Sequence, residues 1–121
     1  HDPAQAVVEL RAADEAHDGA THDFALAVRA NLGRALAGAG KPDEGEALLL
    51  RVLADFDAEG TFPPYDVAFV WGMLGDVRAA ADRNGPAIEA YDRALERLPA
   101  RADMDSLRVD LQTRRQSIAS P

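Results

Sequence analysis

Apolar residues recur along this chain at three- and four-residue intervals, and Pro and Gly interrupt them at regular places. Such spacing puts the apolar side chains on one face of an α-helix and does not fit the alternation of a half-buried strand. A first segment runs from Pro3 to His17, with Asp2 placed as an N-cap and Val7 and Leu10 sharing a face. A loop is expected over Asp18 to His22. A second segment, Asp23 to Ala39, carries Phe24, Val28, Leu32, Ala35 and Leu36, and Gly38 and Gly40 end it. Pro42 opens a third, striped by Leu49, Val52, Leu53 and Phe56 and followed by a loop over Asp57 to Pro64. The fourth begins near Asp66, with Val67, Val70, Trp71 and Leu74 on one face, and Asn84–Gly85–Pro86 breaks it. The fifth, Pro86 to Leu98, turns Ala87, Tyr91, Ala94, Leu95 and Leu98 inward. The last, Asp103 to Ile118, aligns Met104, Leu107, Leu111 and Ile118, and its Arg108, Asp110, Arg114 and Arg115 are expected to point outward. The pattern predicts an all-α fold of about six helices.

The segments also repeat. Leu32–Gly33 recurs as Leu74–Gly75, each in mid-helix and each followed by a Pro-opened helix with a matching stripe. A glycine inside a helix costs about 1 kcal/mol relative to alanine. Two such glycines in register therefore call for a reason, and the close approach of a neighbouring helix supplies one. Val7 and Leu10 precede Leu49 and Val52 by the same interval that separates Gly33 from Gly75.

Trp71, Leu74, Gly75, Ala87, Tyr91, Ala94 and Pro99 together resemble the tetratricopeptide repeat. The earlier copy, with Asn31–Leu32–Gly33, Gly40, Asp43–Glu44, Leu49, Val52 and Leu53, is more degenerate. It is longer than the common form of the repeat and resembles the extended repeats of kinesin-light-chain-like bacterial proteins. Two positions depart from the pattern: Gly45 stands where the family has Ala, and Arg78 where it has an aromatic residue.

The resemblance implies one α-solenoid domain of antiparallel helix pairs wound as a right-handed superhelix. Its repeats would be 23–58 and 65–99, with the extra residues of the longer copy in the loop from Ala58 to Pro64. Residues 103–119 would be a C-terminal capping helix. Residues 3–19 would be either an N-terminal cap or the second helix of a preceding repeat in a larger array. The function implied is that of an adaptor binding a protein or peptide along a concave groove. Ala27, Ala30, Asn31, Arg34 and Ala37 would line it in one copy and Phe69, Gly72, Met73, Asp76 and Ala80 in the other. Of these, Asn31, Arg34, Phe69, Met73 and Asp76 are the candidate contacts. Asn31 could both donate to and accept from a ligand backbone, Arg34 could pair with a carboxylate, and Phe69 and Met73 would offer an adaptable apolar patch. The competing expectation for Phe69 and Met73 is packing against an adjacent helix. The alternative function is a regulatory or oligomerisation module of a larger signalling protein, self-associating through its terminal helices.

Charge and composition narrow the partners. The formal net charge is −8, and residues 1–60 hold 12 acidic groups against 5 basic ones. Such a surface repels nucleic acid and anionic lipid. With no Cys in the chain, disulfides, thiolate metal sites and thiol catalysis are excluded. No apolar run approaches the roughly 20 residues of a membrane span, and no signal peptide is visible, so a cytoplasmic location is expected. His17 and His22, beside Asp18 and Asp23, lack the i, i+4 spacing that presents metal ligands on a helix and read as exposed loop residues. Asp43, Glu44 and Glu46 suit the positive end of a helix dipole better than acid–base chemistry. Ser106, Ser117 and Ser120 have no His–Asp partners in view. Neither enzymatic activity nor a cofactor is expected.

Overall fold

The structure, a computed structural model, describes residues 2–15, 22–60 and 62–119. Those residues form six α-helices and one short 3-10 turn, with no strand among them. The helices are α1 (Pro3–Glu15), α2 (His22–Gly38), α3 (Pro42–Glu59), α4 (Pro64–Ala80), α5 (Asn84–Arg97) and α6 (Asp105–Ala119), the 3-10 turn Ala102–Met104 preceding α6. None of the described helices is long and apolar enough to cross a membrane. The chain divides into two compact units, residues 1–52 and 53–121, and the division falls within α3.

In the first unit, Asp2 caps α1: its carboxylate accepts a hydrogen bond from the Ala4 amide at 3.0 Å, satisfying a donor that the first turn leaves free. α2 ends in a turn centred on Gly40, where φ is +87°. There the Lys41 amide donates to the Leu36 carbonyl at 2.9 Å and the Gly40 amide to that of Ala37 at 3.1 Å. This is the Schellman arrangement, which needs a left-handed residue and so favours glycine. α2 and α3 then cross at Gly33. A Cβ on Gly33 would lie 2.9 Å from Leu49 Cγ and 3.0 Å from the Gly45 carbonyl oxygen, and one on Gly45 would collide with the Gly33 carbonyl oxygen. Gly45 departs from the repeat pattern because the α2 and α3 backbones touch there and leave no room for a Cβ.

The second unit repeats this construction with different side chains. α4 opens on Pro63–Pro64, with proline at the first helical position, where no amide is needed. It ends in the same turn, the Arg83 amide donating to the Arg78 carbonyl at 2.8 Å and the Asp82 amide to that of Ala79 at 3.0 Å. The left-handed residue is now Asp82, with φ 60°, one repeat period after Gly40. At the crossing of α4 and α5, a Cβ on Gly75 would lie 2.5 Å from Tyr91 Cε1. Ala68, Ala87, Tyr91, Ala94 and Leu98 form a buried core with Met104, Leu107 and Leu111, and Trp71, Leu95 and Ile118 pack at its margin. The Arg93 guanidinium stands 5.7 Å from the centre of the Trp71 ring, a cation–π distance.

Two of the boundaries that differ from the sequence pattern have a clear physical consequence. α3 continues to Glu59 and is 18 residues long against 14 for α5. Residues 57–59, expected in a loop, thus add another turn of helix to the longer copy. α5 begins at Asn84, two residues before Pro86, because proline is tolerated anywhere in a first turn whose amides lack intrahelical partners. The connection around His17 and Asp18 lies outside the described residues, and with it the assignment of those side chains to an exposed loop.

Candidate functional site

Asn31 and Arg34 are both exposed on α2. They stand in the wall of an open cleft of about 530 Å³ between α1 and α2, where Ala6, Glu9 and Leu10 face Asn31, Arg34 and Ala35. The cleft narrows at one end, where a Cβ on Gly38 would lie 3.2 Å from Pro3 Cβ. Its polar groups are unequally engaged. The Asn31 amide donates to the Ala27 carbonyl of its own helix at 3.1 Å, which leaves its oxygen able to accept. Glu9 accepts a hydrogen bond from Gln5 at 3.3 Å. Arg34 has no hydrogen-bond or ion-pair partner among the described residues. The cleft therefore sets an available guanidinium and the Glu9 carboxylate beside apolar surface, and the guanidinium can pair with a carboxylate.

The candidate contacts of the second unit separate from one another. Phe69 is 41% exposed and stacks on Tyr65, itself 40% exposed, with ring centroids 6.2 Å apart. Met73 is 3% exposed and belongs to the core, correcting its assignment to an open apolar patch. α4 is apolar nearly all round, and Val70, Met73 and Val77 are all buried in it, so its exposed large apolar side chains are Tyr65 and Phe69 of the first two turns. Gly72 is no gap for a ligand either: a Cβ there would lie 2.8 Å from Leu111 Cδ2 of α6.

Asp76 is also occupied. Its carboxylate accepts from the Tyr91 hydroxyl at 2.6 Å and from Arg114 Nη1 at 2.8 Å. Arg114 also donates to Asp110, which pulls the Asp110 carboxyl below its usual range. Burial, reinforced by the hydrogen bond to Asp76, raises the Tyr91 hydroxyl well above the ordinary phenol range, so it donates and stays neutral. The guanidiniums expected to point outward from α6 are thus tied down: Arg114 to Asp76, Arg115 to Asp92 at 2.6 Å, and Arg108 to the Pro99 carbonyl at 2.5 Å. These bonds fasten α6 to the pair beneath it and engage both oxygens of Asp76, whose side chain stays 39% exposed.

Sequence reasoning did not place the α1 wall of the cleft, formed by Ala6, Glu9 and Leu10. Their spacing on one helical face was visible, but which helix they would face was not. Tyr65, four residues before Phe69, could have been paired with it by the i, i+4 rule. No protein-family model, curated protein or solved structure matches the chain.

Proposed function

We propose that this chain is a tetratricopeptide-like module that binds a protein or peptide, its helix pairs stacking as successive repeats of a solenoid. Two glycine crossings and two Schellman turns support the repeat, because one interval separates Gly33 from Gly75 and Gly40 from Asp82. The binding assignment rests on one observation. Arg34, without a partner among the described residues, stands in the open α1–α2 cleft with Asn31 and the apolar side chains of Ala6 and Leu10 beside it. Met73, being buried, takes no part. The test is to capture and identify partners with the full chain as bait, then measure their affinity for Asn31→Ala and Arg34→Ala. Both side chains are exposed, so the helical circular dichroism is expected to stay unchanged while binding weakens. Normal binding by both variants rejects the cleft.

A second reading, self-association, draws on the exposed Tyr65–Phe69 pair. Light scattering across a concentration series separates the two: mass that rises in the native chain but not in Phe69→Ser favours self-association.

A further inference from the structure

The two asparagines of the chain stand in opposite surroundings. Asn31 lies in the middle of α2, donates to the Ala27 carbonyl at 3.1 Å and precedes the buried Leu32. Asn84 opens α5, is exposed, and has no side-chain hydrogen bond among the described residues. Its successor, Gly85, is also exposed, and a Cβ there would meet nothing within 4 Å. The Gly85 amide falls in the first turn, whose amides have no acceptor within the helix. Arg83, the residue before the helix, supplies no side-chain cap. The turn is closed by a main-chain bond from the Ala87 amide to the Arg83 carbonyl at 2.9 Å. Terminal turns fray at a cost near zero. Asn84 thus combines a free carboxamide, an unhindered neighbouring amide and a main chain that opens cheaply.

We propose that Asn84 is a site of spontaneous deamidation, a modification independent of whatever binds the α1–α2 cleft. The Gly85 amide nitrogen loses its proton and attacks Asn84 Cγ, forming a C–N bond as Nδ2 leaves. The departing group takes up the proton as ammonia, and a five-membered succinimide remains. Water then opens the ring at either carbonyl. Opening at Cγ restores the ordinary main chain with an aspartate at residue 84. Opening at the main-chain carbonyl gives an isoaspartate, whose main chain runs through Cβ and Cγ. Ammonia leaves and water enters, with no oxidation or reduction. Glycine at residue 85 favours the attack, because a Cβ would crowd the nitrogen. Both products add a negative charge at the start of α5. The aspartate suits the positive end of the helix dipole. The isoaspartate lengthens the main chain inside the Ala87–Arg83 bond, next to the Pro86 carbonyl that accepts from Arg78 Nη1 at 3.1 Å.

The test incubates the full chain at mildly alkaline pH and follows its tryptic peptides by mass spectrometry. The peptide carrying Asn84 is expected to gain one mass unit and split into two chromatographic forms, aspartate and isoaspartate, told apart by electron-transfer fragmentation. The peptide carrying Asn31 is expected to stay unchanged. Because the first turn frays, conversion in the native chain should run within about tenfold of its rate in denaturant. Gly85→Ala, an exposed change into open space, is expected to slow conversion about tenfold, a barrier higher by about 1.4 kcal/mol. Conversion no faster at Asn84 than at Asn31 overturns the proposal. A native rate further below the rate in denaturant also overturns it, because the helix then protects the site. A mass gain without isoaspartate, or one that Gly85→Ala leaves at its native rate, overturns the attack by the Gly85 amide.

Discussion

Gly75 lies against the ring of Tyr91 with no room for a side chain: a Cβ at residue 75 would be 2.5 Å from Cε1 and 2.7 Å from Cδ1. The ring cannot easily swing away, because the Tyr91 hydroxyl is bonded to Asp76 one residue further along α4. Gly75→Ala therefore overpacks the crossing. Overpacking costs about 1–3 kcal/mol, and the better helix propensity of alanine returns about 1 kcal/mol. A net loss of up to about 2 kcal/mol in denaturant unfolding is expected. The loss should shrink in a Tyr91→Leu background, where the ring is gone; an unchanged loss there disproves the contact as the cause.

The equivalent crossing in the first unit is less forgiving. A Cβ on Gly45 meets the carbonyl oxygen of Gly33, which is backbone and cannot rotate aside. Gly45→Ala is expected to cost about 2–3 kcal/mol, more than Gly75→Ala. Equal or smaller loss, read from unfolding midpoints, would show that α2 and α3 can separate cheaply.

Asp82 occupies the left-handed position that Gly40 fills one period earlier, with φ 60° against 87°. Aspartate tolerates this region better than most residues but still at a cost, whereas glycine adopts it freely. Asp82→Gly is expected to raise stability by about 0.5–1 kcal/mol. The gain is partly offset by the greater freedom of glycine in the unfolded chain. A lower melting temperature would contradict the cap.

The stability of α6 should depend on pH through Asp110, which pairs with Arg114 of the same helix. Its hydrogen bond from Arg114 holds the carboxyl pKa below the ordinary aspartate range. A group depressed in the folded state contributes stability that is present above its unfolded pKa and lost as pH falls through the folded value. Hydrogen exchange of α6 amides is expected to accelerate below about pH 4. Asp110→Asn should remove part of that acid sensitivity, leaving the contacts of Arg114 and Tyr91 with Asp76. An identical profile in the variant would assign the acid response to other carboxylates.

The helices were legible because their apolar spacing, prolines and glycines act over three or four residues, within the reach of local sequence. The candidate site was legible only in part. Asn31 and Arg34 are polar residues on the exposed side of α2, and sequence periodicity places them there. Phe69 and Met73 are four residues apart, yet one is exposed and the other buried, because neighbouring elements cover α4 unequally along its length. Asp76 reads as a free carboxylate until Tyr91 and Arg114, 15 and 38 residues away, close on it.

By itself the sequence determined an all-helical chain and the interval at which its Leu–Gly pairs recur, since both follow from local backbone preference and spacing. Tertiary structure alone decided that Gly45 had to be glycine, that Arg114 and Arg115 tie α6 to Asp76 and Asp92, and that Met73 is buried. It also decided that Ala6 and Leu10 form the open wall facing Arg34. Each of these depends on which distant side chain arrives at a face, and helical spacing names the face without naming its neighbour.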